Sequence, residues 1–195
     1  IQPGKVLMVG SSLMEQFPIN ELLLDEGRTY TVYNRGIGGY TTQDLAKVLD
    51  VCVYDVKPSH IFINIGTNDM NTQAYRLEEM LERYENILQE IQSHLPQAGL
   101  TLIAYYPLCE RLMAQAPNGE EILKYRNNRV IEEANRGVEA LAKKLGVGFV
   151  NCNDPITDET GNLKAEYTVE GMHMYADGYA QVLRVLLPLL DQLAG

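Results

Sequence analysis

Four short segments of this 195-residue chain carry residue types that can act together on a carbonyl group: Gly10-Ser11-Ser12, Gly36-Ile37-Gly38-Gly39-Tyr40, Gly66-Thr67-Asn68-Asp69 and Glu170-Gly171-Met172-His173. A serine hydroxyl becomes a nucleophile only when a neutral imidazole takes its proton. The imidazole in turn needs an acid to fix its tautomer, and the developing oxyanion needs aimed N–H donors. Ser12 is the candidate nucleophile, His173 the base and Glu170 the orienting acid. The donors are the backbone N–H of Ser12 or its neighbour, the backbone N–H of Gly39 and the side-chain amide of Asn68. Glycine at 39 leaves a substrate oxygen room to reach the backbone.

Each segment alone also has a plainer reading. Gly-Ser-Ser is an ordinary strand-to-helix connection whose serine caps the helix. The glycines at 36, 38 and 39 suit a tight turn and do not match the G-x-G-x-x-G spacing of dinucleotide sites. Asn68 or Asp69 suits an Asx-turn. Of the three histidines, His60 opens an apolar run and His94 closes a helical one, where it suits the helix dipole; both read as structural.

The elements that must hold these segments follow from apolar periodicity. Lys5–Val9, Tyr30–Tyr33, His60–Ile65, Leu100–Tyr105 and Gly148–Val150 read as strands. Helical spacing runs through Leu77, Leu81, Tyr84, Ile87, Leu88 and Ile91, and again through Leu123, Val130, Ala134, Val138, Leu141 and Leu145. A last helix spans Ala180 to Leu193, with Pro188 expected to kink or end it. Strands alternating with helices imply right-handed crossovers and a parallel sheet covered on both faces. In such sheets ligands bind outside the carboxyl ends of the strands, where the first three segments fall. The irregular stretches Pro107–Gly119 and Asn153–Tyr175 follow strands as well.

In this order, spanning residues 10 to 179, the four segments resemble the blocks of the SGNH hydrolases, also called the GDSL esterase/lipase family. Gly10-Ser11-Ser12 is similar to the family's Gly-Asp-Ser, Gly39 to its second-block glycine, Gly66-Thr67-Asn68-Asp69 to its Gly-x-Asn-Asp, and Glu170-Gly171-Met172-His173 to its final Asp-x-x-His. The second and third blocks most resemble the branch with platelet-activating-factor acetylhydrolase catalytic subunits and bacterial acyl esterases. The resemblance implies a three-layer α/β/α sandwich, flavodoxin-like, of about five parallel strands, and it assigns the nucleophile to Ser12 rather than Ser11. The sequence departs from the family at two places. Ser11 replaces an aspartate that is not the triad acid, and Glu170 adds a methylene between carboxylate and imidazole. Asp177 is a rival acid whose plainer role is capping a helix that begins near Gly178.

Composition narrows the partners. A formal net charge of −10 opposes binding to phosphate backbones, so nucleic acid is not expected. Cys52, Cys109 and Cys152 are odd in number and far apart, so neither a disulfide framework nor a metal site is expected. No apolar run approaches a membrane span, and the first residues carry no leader pattern, which points toward cytoplasm. The expectation is a single domain over residues 1–195, with no cofactor, that hydrolyses a small-molecule ester, an acylated sugar or small lipid, with Leu108, Leu112 and Met113 either a modest apolar wall or ordinary surface cover and Tyr40 either facing substrate or packing on a helix. Lysophospholipase and thioesterase activities remain alternatives, as does a noncatalytic flavodoxin-like binding module.

Overall fold

The computed structural model describes residues 1–194. Five strands form one all-parallel sheet in the order β2-β1-β3-β4-β5. They are β1 (Val6–Gly10), β2 (Val32–Gly36), β3 (His60–Asn64), β4 (Gly99–Ile103) and β5 (Gly148–Val150). Between them run α1 (Ser12–Glu15), α2 (Ile19–Asp25), α3 (Thr42–Ala46), α4 (Leu49–Cys52), α5 (Leu77–His94), α6 (Glu110–Met113), α7 (Gly119–Leu123) and α8 (Asn128–Leu145), and the chain ends in α9 (Ala176–Ala194).

The side-chain alternation of β1 explains the three layers. Leu7 and Val9 join Ile61 and Ile63 under α3, α5 and α8 on one face. Val6 and Met8 join Phe62 under α1, α2 and α9 on the other. Both faces of β1 and β3 are therefore buried, which a continuous apolar run encodes. The strand order reverses direction between β1 and β3, so their carboxyl ends flank the crevice where open α/β sheets place their ligands. No described helix is long and apolar enough to cross a membrane.

Several boundaries differ from the sequence reading. β2 lies two residues later than expected and includes Asn34 and Arg35, since it is an edge strand. Asn34 earns its place by donating through Nδ2 to Met14 O at 2.6 Å and accepting from Gly36 N at 2.9 Å. The helical spacing that began at Leu123 belongs to two helices, because Asn127 caps α8 by accepting from Val130 N. The last helix starts at Ala176, earlier than expected, and continues through Pro188. Pro188 and Arg184 are both exposed, so the carbonyl that proline leaves without an N–H partner faces solvent.

Candidate active site

The structure brings Ser12, His173 and Glu170 into one line. Ser12 is the first residue of α1, directly beyond β1, and its Oγ stands 3.1 Å from His173 Nε2. On the other side of the ring, Nδ1 stands 2.5 Å from Glu170 Oε1. The same carboxylate oxygen accepts from His173 N at 3.2 Å. The extra methylene is thus accommodated by curling the side chain back over its own turn, where one oxygen meets both the main chain and the ring. An ionised Glu170 can only accept, so Nδ1 carries the ring proton and Nε2 is free to accept from the Ser12 hydroxyl. The His173 and Glu170 side chains are 29% and 31% exposed, shielded yet open to a small reactant.

The turn carrying Glu170 and His173 is closed by Thr168, a residue the sequence reading did not single out. Thr168 Oγ1 donates to His173 O at 2.8 Å and accepts from Gly171 N at 2.9 Å, and Val169 N also reaches His173 O. Cys109 N then donates to Gly171 O at 2.8 Å, docking the turn on the segment after β4. Gly171 has φ of +108°, and a Cβ there would meet Met113 N at 2.5 Å and Cys109 O at 2.7 Å. Both conformation and space require glycine. No spacing rule signals Thr168, because a lone threonine in a loop carries no pattern.

The second and third blocks meet through Asn68 and Asp69. Asn68, half-buried just beyond β3, donates through Nδ2 to Tyr40 O at 2.9 Å, which leaves the amide's other N–H for a further acceptor. Asp69 ties the two blocks more firmly. Its buried carboxylate accepts from Thr42 N at 2.9 Å and Thr42 Oγ1 at 2.5 Å, and pairs with Arg83 Nη2 at 3.2 Å. Asp69 is therefore a clamp between blocks rather than a local Asx-turn. Gly39 adopts φ of +79°, and a Cβ there would meet nothing within 4 Å. Its backbone conformation, ahead of any room needed by substrate, calls for glycine.

Other expectations are corrected. Ser11 occupies the N-cap position of α1 without making a side-chain cap bond; its Oγ is buried and has no partner. Asp177 lies exposed within the first turn of α9 and does not precede it as a cap. Leu108 and Met113 are buried core residues at 1% and 3% exposure, and Leu112 packs on the opposite core, so these three do not form a wall over the site. Tyr40 packs against the core under α3 and α5. His60 opens β3 with Nε2 2.8 Å from Thr101 Oγ1, and His94 Nδ1 lies 3.1 Å from Glu90 O at the end of α5. A groove of about 660 Å³, bordered by Asn128, Arg136, Phe149 and Asn153, lies by the free β5 edge and includes none of the Ser12 line. The Ser12 line lies instead beyond the carboxyl end of β1.

The fold is a flavodoxin-ordered α/β/α sandwich in which the Ser12, His173 and Glu170 side chains are aligned beyond the end of β1. The chain belongs to the GDSL-like Lipase/Acylhydrolase family, whose model matches residues 17–181, a family of carboxylic ester hydrolases. Gly39, Asn68, Glu170 and His173 fall inside that match, and Ser12 lies just before it. A solved structure from Streptococcus pneumonia, described as a candidate platelet activating factor, is similar at 33% identity and a TM-score of 0.86, covering 97% of this chain and 85% of that one. An acetylxylan esterase from Geobacillus stearothermophilus shares the fold at 19% identity and a TM-score of 0.71, with 97% and 95% covered. The N-acylneuraminate cytidylyltransferase of Escherichia coli O18:K1:H7 is 22% identical over 176 residues, 89% of this chain. The chain spans only 37% of that curated relative's length.

Proposed function

We propose that this chain is a serine esterase that cleaves a short acyl ester through an acyl-enzyme, using Ser12, His173 and Glu170 as the triad. The observation that carries the reading is the unbroken line from Ser12 Oγ through both ring nitrogens to Glu170 Oε1. Ser12 attacks the ester carbonyl while His173 Nε2 takes its proton, and Glu170 steadies the imidazolium so formed. The Gly39 N–H and the spare Asn68 N–H receive the oxyanion. His173 then passes its proton to the leaving alcohol. Water repeats the sequence on the acyl-enzyme and frees the carboxylic acid.

A short acyl group, such as acetyl on a sugar, is favoured because Leu108 and Met113 are folded into the core and supply no apolar trough beside Ser12. Residues 1–195 act in this reading as one catalytic domain, since both core clusters pack on a single sheet. Hydrolysis of p-nitrophenyl acetate, butyrate and octanoate by the purified protein tests the proposal. We expect acetate to be turned over fastest, Ser12→Ala to be inactive, and a fluorophosphonate adduct to map to Ser12. Wild-type-like turnover by Ser12→Ala would overturn it, and a preference for octanoate would overturn the short-acyl assignment.

A further inference from the structure

Arg126, between α7 and α8, is the largest fully buried side chain of the protein, at 1% exposure. Buried guanidinium groups are ordinarily paired, because an isolated interior charge is strongly unfavourable. Among the described residues no carboxylate lies within 4.0 Å of this one. Its Nη1 instead donates to Met172 Sδ at 3.4 Å, a weak acceptor, and its Nε has no partner. Met172 lies inside the Glu170–His173 turn, so the unpaired cation is packed against the back of the residues that orient the imidazole.

We propose that Arg126 is a positioning residue for the esterase reaction, packed behind the Glu170–His173 turn and bonded to Met172 so that Glu170 stays seated on His173 Nδ1. This rests on the triad reading above. Burial pulls the Arg126 pKa down to about 10, and the Glu170 carboxylate is the main influence pulling it back up, with Tyr105 next. Arg126 thus stays charged at neutral pH. Tyr105 and Tyr179, the buried phenols electrostatically linked to Arg126 and Glu170, have pKa values raised by burial and remain neutral.

The arrangement has a specific consequence for turnover. A turn that loses its backing seats Glu170 less well on His173 Nδ1, so the chemical step suffers more than substrate binding. A residue serving only to fill space would leave kcat untouched, and exchanging a buried unpaired charge for an apolar side chain of similar length is neutral or stabilising to the fold in either case.

The test compares Arg126→Met, Arg126→Gln and Arg126→Lys by steady-state kinetics and melting temperature. Both neutral variants are expected to lose about tenfold or more in kcat with little change in KM. Arg126→Lys should restore much of kcat, and the Tm of Arg126→Met should equal or exceed that of the wild type. In a Glu170→Gln background, Arg126→Met should add less than about twofold, since both act through one carboxylate. A wild-type kcat in the neutral variants, or full additivity with Glu170→Gln, overturns the inference. Ser12→Ala and Glu170→Gln alone test the underlying triad: wild-type rates in those variants sink the triad, whereas their inactivity beside a normal Arg126→Met sinks only the role of Arg126.

Discussion

Asn68 and Tyr40 are joined across 28 positions of sequence by one hydrogen bond, from the Asn68 carboxamide to the Tyr40 carbonyl at 2.9 Å. The bond fixes the rotation of the amide and ties it to the turn that carries Gly39, so the two expected oxyanion donors belong to segments joined by this contact. Asn68→Ala should lower kcat by about 10²–10³, roughly 2.7–4 kcal/mol, the usual effect of losing one such donor. KM should change less than kcat, as for a group acting on the transition state. Steady-state kinetics on p-nitrophenyl acetate check this; a normal kcat with a raised KM would reduce Asn68 to a substrate-positioning role.

Adjacent serines at 11 and 12 have opposite environments. Ser12 Oγ faces His173, whereas Ser11 Oγ is buried with no partner. Removing an unsatisfied buried hydroxyl relieves a desolvation penalty rather than breaking a bond. Ser11→Ala is expected to keep most of the activity and to melt at or above the wild-type temperature, while Ser12→Ala folds normally and is inactive. Equal loss of turnover in both variants would contradict the assignment of the nucleophile.

The parts of this architecture that depend on periodicity were legible in the sequence. The continuous apolar run Ile61-Phe62-Ile63 announces a strand buried on both faces, and the strand-end location of Ser12, Gly39 and Asn68 follows from the alternating pattern. What was not legible depends on contacts distant in sequence. Asn34 extends β2 because the carbonyl of Met14 awaits its amide. Asp69 looked like a turn residue, yet its partners are Thr42 and Arg83. Leu108 and Met113 looked like loop residues available to substrate, but the segment after β4 folds inward, where Gly171 packs against it. Polar side chains bonded across the fold leave no local signature.

A separate electrostatic tie fastens α9 to the segment before β2. Asp191 pairs with Arg28 Nη2 at 2.7 Å and accepts from Tyr30 Oη at 2.7 Å. The bonds from Arg28, then Tyr30, hold the Asp191 carboxyl down to about 2. Because the folded value lies below the unfolded one, the stabilisation is present above the ordinary Asp range near 3.9 and is lost as pH falls toward 2. The Tm difference between wild type and Asp191→Asn should therefore be constant above about pH 5 and close by about pH 2. Thermal melts across that range measure it, and a gap independent of pH would assign the effect to packing.

The choice of acid is decided by Glu170 and Asp177. Glu170 Oε1 takes both His173 N and Nδ1, whereas Asp177 is exposed in the first turn of α9. Glu170→Gln keeps the size but offers an amide that can donate where only an acceptor fits, favouring the wrong tautomer. Its kcat should fall steeply, by up to about 10⁴-fold, as for the aspartate-to-asparagine change in a serine protease. Glu170→Asp should be milder, because a carboxylate remains, yet below wild type, because the shorter side chain must reach Nδ1 from a turn built for glutamate. Asp177→Asn removes a charge that suits the helix N-terminus, an effect of about 0.3–1 kcal/mol on stability, and should leave kcat unchanged. The three kcat values discriminate the roles: a crippled Asp177→Asn beside a near-normal Glu170→Gln would move the acid to Asp177, and near-normal rates in both would leave His173 working without a carboxylate.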